Sequence, residues 1–163
     1  MPRKQPRKPL LPPRWFVRFF WSMHRRLYGV TRGRLGLWRP GAKRWGALRL
    51  TTVGRRTGQE RSVIIAYLED GPNLVVLAMN GWAAGEPAWW LNLQAQPDAR
   101  VELAGGQRRV RARAAAGDER ARLWARWREQ GAELDEYATL RPTETAVVIL
   151  EPQPQLDGQL SGS

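Results

Sequence analysis

Cysteine is absent from this chain of 163 residues, histidine occurs once, and no aspartate or glutamate precedes Glu60. Without cysteine there is no disulfide, no thiolate nucleophile and no thiolate-bound metal. The single histidine, His24, sits in a basic, aromatic stretch, and the carboxylates are too scattered to form a metal cluster. No Gly-x-Ser-x-Gly stretch is present, so Ser22, Ser62, Ser161 and Ser163 lack the setting of a nucleophile. Long apolar runs are missing as well. The longest aromatic stretch, Trp15 to Met23, is broken by Arg18 and falls well short of the ~20 residues of a membrane-spanning helix. The start, MPRKQPRKPLLPP, lacks the apolar core and small-residue cleavage site of a secretory signal. These absences are those of a cytoplasmic protein. Any redox chemistry would belong to a bound organic cofactor that the chain holds and orients.

Positive charge is abundant and unevenly placed. Residues 1–50 carry 14 Lys and Arg and no acid, whereas residues 62–163 carry 10 basic and 14 acidic residues. The net charge of +12 is therefore a property of the N-terminal part, which calls for an anionic partner. With 42% hydrophobic residues and nine tryptophans the chain is otherwise globular in character.

Four regions follow from the composition. Residues 1–13, rich in proline and basic residues, form a disordered tail. Residues 14–46 comprise an amphipathic helix over Arg14–Tyr28 and a Gly/Arg-rich connector. Arg14, Arg18 and Arg25 share one helical face, and Trp15, Phe16, Phe19, Phe20, Met23 and Leu27 fill the other. Such a helix can pack on its own domain or lie on an anionic membrane surface with its arginines at the headgroups. Residues 47–152 form the folded domain, and residues 153–163 a flexible tail. Within the domain, ALRLTTV and RSVIIAYLE make a hairpin, DGPN turns into LVVLAM, and a short helix, AWWLNLQAQ, begins after Pro87. RVEL and QRRVRARAAA pair next; Asp118 caps a helix to about Glu129, a shorter one spans 132–139, and TAVVIL is the last strand. This order is mainly β with helical covers, a small antiparallel barrel.

Two stretches hold the chemistry. In TTVGRRTGQERS, Thr51 to Ser62, glycines flank Arg55 and Arg56, and Arg61 follows. Glycine lets backbone N–H groups approach an anion, and arginine forks match phosphate or carboxylate oxygens. An ordinary exposed hairpin tip has similar residues. The phosphate-loop ending Gly-Lys-Ser/Thr is absent. In PAWWLNLQAQPD, Trp89 and Trp90 stand beside Asn92, a wall suited to a planar ring.

Together these stretches resemble the deazaflavin-dependent nitroreductase family, whose pattern is roughly TTxGRKSGxxR followed by PxWYxNLxANP. The likeness runs from about Ala47 to Arg113 and more weakly through Tyr137 to VVILEP. It implies a six-stranded split barrel, similar to that of FMN-binding proteins, that binds coenzyme F420, with FMN as the alternative cofactor. It assigns the cofactor's anionic tail to Arg55, Arg56, Thr57 and Arg61. The adjoining wall maps to Ser62, Val63, Ile64, Ile65 and Ala66, then Leu77, Ala78, Met79 and Asn80. The helix contributes Ala88, Trp89, Trp90, Leu91 and Asn92. Tyr137 falls on the acceptor side. Four positions depart from nitro-reducing relatives: Asn80 for lysine, Met79 for a small hydroxyl residue, Trp90 for tyrosine, and Leu134 near the acceptor side. Fewer hydroxyls leave fewer donors for charge developing on an acceptor.

The resemblance thus implies hydride transfer from reduced F420 to a hydrophobic acceptor such as a quinone or nitro compound; the basic, aromatic helix, which would place the site at a membrane, makes a quinone the first choice. A non-catalytic F420 or flavin carrier is the competing reading. No metal and no nucleic-acid partner are expected, since the basic segment carries no recognised binding motif; a homodimer is compatible with the fold. Deleting residues 1–28 should release the protein from anionic vesicles in a sedimentation assay while sparing coenzyme binding; a loss of thermal stability instead would place that helix on the barrel.

Overall fold

The computed structural model describes residues 36–80, 84–131 and 133–154; the expected helix over 14–28 and both tails, apart from Gln153 and Pro154, lie outside them. Six strands make up the body: β1 (Gly46–Val53), β2 (Glu60–Asp70), β3 (Asn73–Leu77), β4 (Asp98–Leu103), β5 (Gly106–Ala114) and β6 (Val147–Pro152). Helix α1 (Ala88–Ala95) lies between β3 and β4, while α2 (Gly117–Arg128) and α3 (Leu134–Ala138) lie between β5 and β6. The strands close into an antiparallel barrel in the order β1-β2-β3-β6-β5-β4, as the sequence pattern implies.

Period-two alternation explains the two layers of core. Leu48, Leu50, Tyr67, Leu74, Val76, Val101, Val110, Val148 and Leu150 point into the barrel, where Trp89, Trp90 and Leu93 of α1 join them. Val75, Leu77, Val147 and Ile149, on the opposite face of β3 and β6, are buried by Leu123 and Trp127 of α2 and Leu134 of α3. Covered on both faces, β3 and β6 read as nearly continuous apolar runs; β5, whose outer face meets solvent, alternates Val110 and Ala112 with exposed Arg109, Arg111 and Arg113. Among the described residues no helix is long and apolar enough to cross a membrane.

Several boundaries differ from the expected pattern: β6 runs Val147–Pro152 where TAVVIL spans 145–150, and β4 begins at Asp98, two residues before RVEL. β3 stops at Leu77 and not at Met79, because the Met79 N–H donates to Leu77 O and turns the chain off the sheet (2.9 Å). Asp118 is not the cap of α2: extended Ala116 occupies that position, and Asp118 and Glu119 sit in the first turn, where their charge complements the helix dipole.

Helix α2 is held to the barrel by charge as well as by packing. Arg122 and Arg126, one turn apart, both reach Asp70 at the end of β2 (2.8 and 3.1 Å). The hydrogen bond from Arg122 is the main reason that Asp70 has a lowered pKa. Its stabilisation is therefore full above the ordinary carboxylate value of about 4 and is lost as the pH falls through the lowered value. Asp70→Asn should melt below the wild type at pH 7, and thermal scans down to pH 2 should show the gap closing.

Candidate functional site

The link between β1 and β2 is a tight corner. The Gly54 N–H donates to Gln59 O (2.7 Å) and the Gly58 N–H to Gly54 O (2.8 Å). Gly58 has φ +70°, and a Cβ on Gly54 would meet Gln59 O at 3.0 Å, so both glycines are needed for this shape. The Thr57 hydroxyl accepts from the Gln59 N–H (3.3 Å). Arg55 and Arg56 are exposed at the tip, with one arm of the Arg55 guanidinium turned back toward α1, and Arg61 is exposed on β2 opposite Thr52.

Helix α1 brings the second stretch to this corner. It starts after Pro87, whose φ of −66° suits the lead-in to a helix. Trp89 and Trp90, each 7% exposed, pack edge to face with centroids 6.4 Å apart and fill the barrel interior. A tryptophan pair read as a free aromatic wall is therefore largely core, because a barrel end needs bulky side chains to close it. Asn92, from the same helix, is buried at 4% exposure. Its Oδ1 accepts from the Arg55 backbone N–H (3.2 Å) and from Arg55 Nη1 (3.1 Å), and its Nδ2 donates to Thr52 Oγ1 (3.1 Å). Thr52 Oγ1 in turn donates to Arg61 O (3.5 Å). One side-chain amide thus gathers the arginine corner, β1 and α1 into a single connected group.

The remaining residues named from the resemblance distribute as strand geometry requires. Val63 and Ile65 pack against the interior cluster; Ile64 joins Ala47 on the outer face, and Ala66 packs against the outer cluster. Ser62 pairs with Thr51 through their hydroxyls (2.8 Å). Leu77 and Ala78 are buried on opposite faces, Met79 is half-buried against the outer cluster, and Asn80 is exposed. Ala88 is exposed and Leu91 half-buried on α1. Tyr137, on α3, donates its hydroxyl to Glu133 Oε2 (2.7 Å), and that bond is the main cause of a raised phenol pKa.

Electrostatics single out the corner. Arg100, Arg111, Arg113, Arg122 and Arg128 are each neutralised by a nearby carboxylate. Among the described residues no carboxylate pairs with Arg55, Arg56 or Arg61; Glu60, between them in sequence, is held by Arg100 through a two-pronged bond. Adjacent cations without carboxylate partners suit a ligand that carries anions.

Three residues of this region escaped sequence reasoning: Thr52, Glu86 and Arg141. Thr52 could have been found from its inward register with Leu48 and Leu50. The other two meet only through tertiary structure, 55 residues apart. Asn92→Ala should lower the unfolding free energy by about 1–3 kcal/mol, read from urea titration, whereas Gln94→Ala on the exposed side of α1 should stay within about 0.5 kcal/mol.

A family model described as F420H(2)-dependent quinone reductase matches residues 19–152. A putative F420H(2)-dependent quinone reductase of Mycobacterium tuberculosis is 33% identical over 99 residues, which cover 61% of this chain and 83% of that protein. Another M. tuberculosis protein, named F420H(2)-dependent quinone reductase, is 35% identical over 81 residues, covering 50% of this chain and 53% of its own length. Among solved structures, one described as a domain-swapped dimer superposes with a TM-score of 0.63 at 27% identity, covering 86% of this chain and 100% of its own. An F420H2-dependent reductase superposes with a TM-score of 0.59 at 26% identity, covering 64% and 93%. The chain belongs to the F420H(2)-dependent quinone reductase family.

Proposed function

We propose that this protein reduces quinones with coenzyme F420H2, and that the cofactor lies across the arginine corner and α1. The observation that carries the reading is the bracing of the corner by Asn92 of α1, through Arg55 and Thr52, beside three arginines, Arg55, Arg56 and Arg61, with no carboxylate partner among the described residues. These residues fit a flat ring with an acidic tail: the cations are available to its anions, and the glycine corner leaves its outer side open. When bound, the reduced deazaflavin supplies a hydride, which with one proton converts a quinone to its hydroquinone. Arg55, Arg56, Thr57 and Arg61 hold the anionic tail. The ring's walls are the segments Ser62–Ala66, Leu77–Asn80 and Ala88–Asn92, with Trp89 and Trp90 as the core behind them and Ile64, Ala66 and Leu77 turned to the outer clusters. Asn92 keeps the Arg55 backbone in place, and Tyr137, a neutral phenol at physiological pH, lines the acceptor side.

Quinones partition into membranes, so the basic, aromatic segment over residues 14–28 would bring the site to an anionic lipid surface on the cytoplasmic side. We place a homodimer with this reading as well, in keeping with the domain-swapped dimer among the structural neighbours.

Purified protein with F420H2 should oxidise the coenzyme faster on addition of a soluble naphthoquinone, followed anaerobically by the coenzyme's absorbance. Tight binding without turnover on any quinone would replace the reductase by a carrier. Arg56 makes none of the bonds that brace the corner, so Arg56→Ala should weaken F420 binding by about 1.5–3 kcal/mol, the worth of one charge-assisted hydrogen bond. Unchanged affinity would remove Arg56 from the site.

A further inference from the structure

Arg141 lies between α3 and β6, and its side chain is fully enclosed, with 0% exposure. A guanidinium cannot be buried cheaply unless its donors are satisfied. Its Nη1 donates to Ala78 O (2.9 Å) and to Thr145 Oγ1 (2.8 Å), and its Nη2 pairs with Glu86 Oε1 (3.1 Å). These partners belong to three separate segments. Ala78 follows the end of β3, Glu86 stands two residues before α1, and Thr145 leads into β6. Thr145 is itself anchored, because its carbonyl accepts from Arg120 Nη2 of α2 (2.9 Å).

Stability alone does not account for this arrangement. Buried ion pairs contribute little net stability over apolar residues of similar size. This one is also incomplete: the second oxygen of Glu86, Oε2, is buried with no donor among the described residues, which costs stability. What the arrangement does achieve is geometric. A planar fork with its acceptors on different segments fixes both distance and orientation between them. Those segments are two walls of the proposed site, Leu77–Asn80 and Ala88–Asn92.

We propose that Arg141 is a positioning residue for hydride transfer: its buried fork, with Glu86, sets the end of β3 against the start of α1 and so places the cofactor ring relative to the acceptor. The inference rests on the cofactor reading given above. Asn92 holds the far half of α1 to the arginine corner, and Arg141 holds its entrance. Tail binding and ring placement thereby depend on different residues.

The test uses the full-length protein and two variants. Arg141→Met with Glu86→Gln removes both charges together, so no uncompensated carboxylate is left buried. Arg141→Lys keeps a charge but cannot serve three acceptors as a planar fork. Folding is checked by near-ultraviolet circular dichroism, F420 affinity and stoichiometry by fluorescence titration, and turnover with a naphthoquinone at saturating F420H2. Both variants should bind one coenzyme per chain within about fivefold of the wild-type affinity, since the arginine corner is intact. Their kcat should fall about tenfold or more, with an altered absorbance of the bound deazaflavin. A merely structural role would lower the bound fraction and leave kcat per bound coenzyme unchanged. Wild-type kcat and spectrum in a folded variant overturn the proposal, and if the double variant does not fold, Arg141→Lys decides by the same criterion. A wild-type protein that binds no F420 overturns the cofactor reading, and this inference with it.

Discussion

The carboxamide of Asn92 is the smallest group on which the geometry of the candidate site depends. It is buried beneath the β1–β2 corner, where each of its polar atoms must find a partner within the protein. The partners available are Thr52 on the barrel wall and both the backbone and side chain of Arg55. Neither aspartate nor leucine could satisfy donor and acceptor sites in this way. The position of α1 and the shape of the arginine corner are consequently one structural fact. Trp89, Trp90 and Leu93 then commit the same helix to the barrel interior, so that the corner inherits the rigidity of the main core.

Charge is handled differently on the two sides of the molecule. Around α2 and the outer face of β5, arginines meet carboxylates: Arg122 and Arg126 share Asp70, and Arg113 bridges Glu119 and Glu151. Exposed pairs of this kind contribute little stability each, but they leave that surface locally neutral. The β1–β2 corner has no such compensation among the described residues, and Arg100 draws the adjacent Glu60 away from it. A localised positive field next to an enclosed apolar helix start is what a ligand with a flat ring and acidic tail would require.

The family assignment sharpens the acceptor class. The sequence motifs resemble nitro-reducing deazaflavin proteins, while the family model and the two M. tuberculosis relatives are described by quinone reduction. Met79 and Leu134, which replace polar positions of the nitro-reducing pattern, both pack against the outer apolar cluster under α2 and α3. Their apolar character is accounted for by burial against that cluster.

Local rules made most of the fold legible in the sequence. Alternation in β1 and β5, the Asp-Gly-Pro-Asn turn and the proline before α1 each act within a few residues, and each element lies where they predict. Two of the boundaries that differed, the end of β3 and the cap of α2, turn on single hydrogen bonds and backbone angles that propensity does not encode. At the site, residue types named Arg55, Arg61 and Asn92, because the paired motifs carry them in recognisable order. Burial of the tryptophan pair was not legible: only closure of the barrel decides whether an aromatic side chain lines a slot or fills a core. The same holds for Arg141 and Glu86, whose pairing across 55 residues follows from where α3 and the α1 entrance meet. A chain states which side chains it has and how its local segments bend; which of them share a buried volume is settled by the packing of the whole.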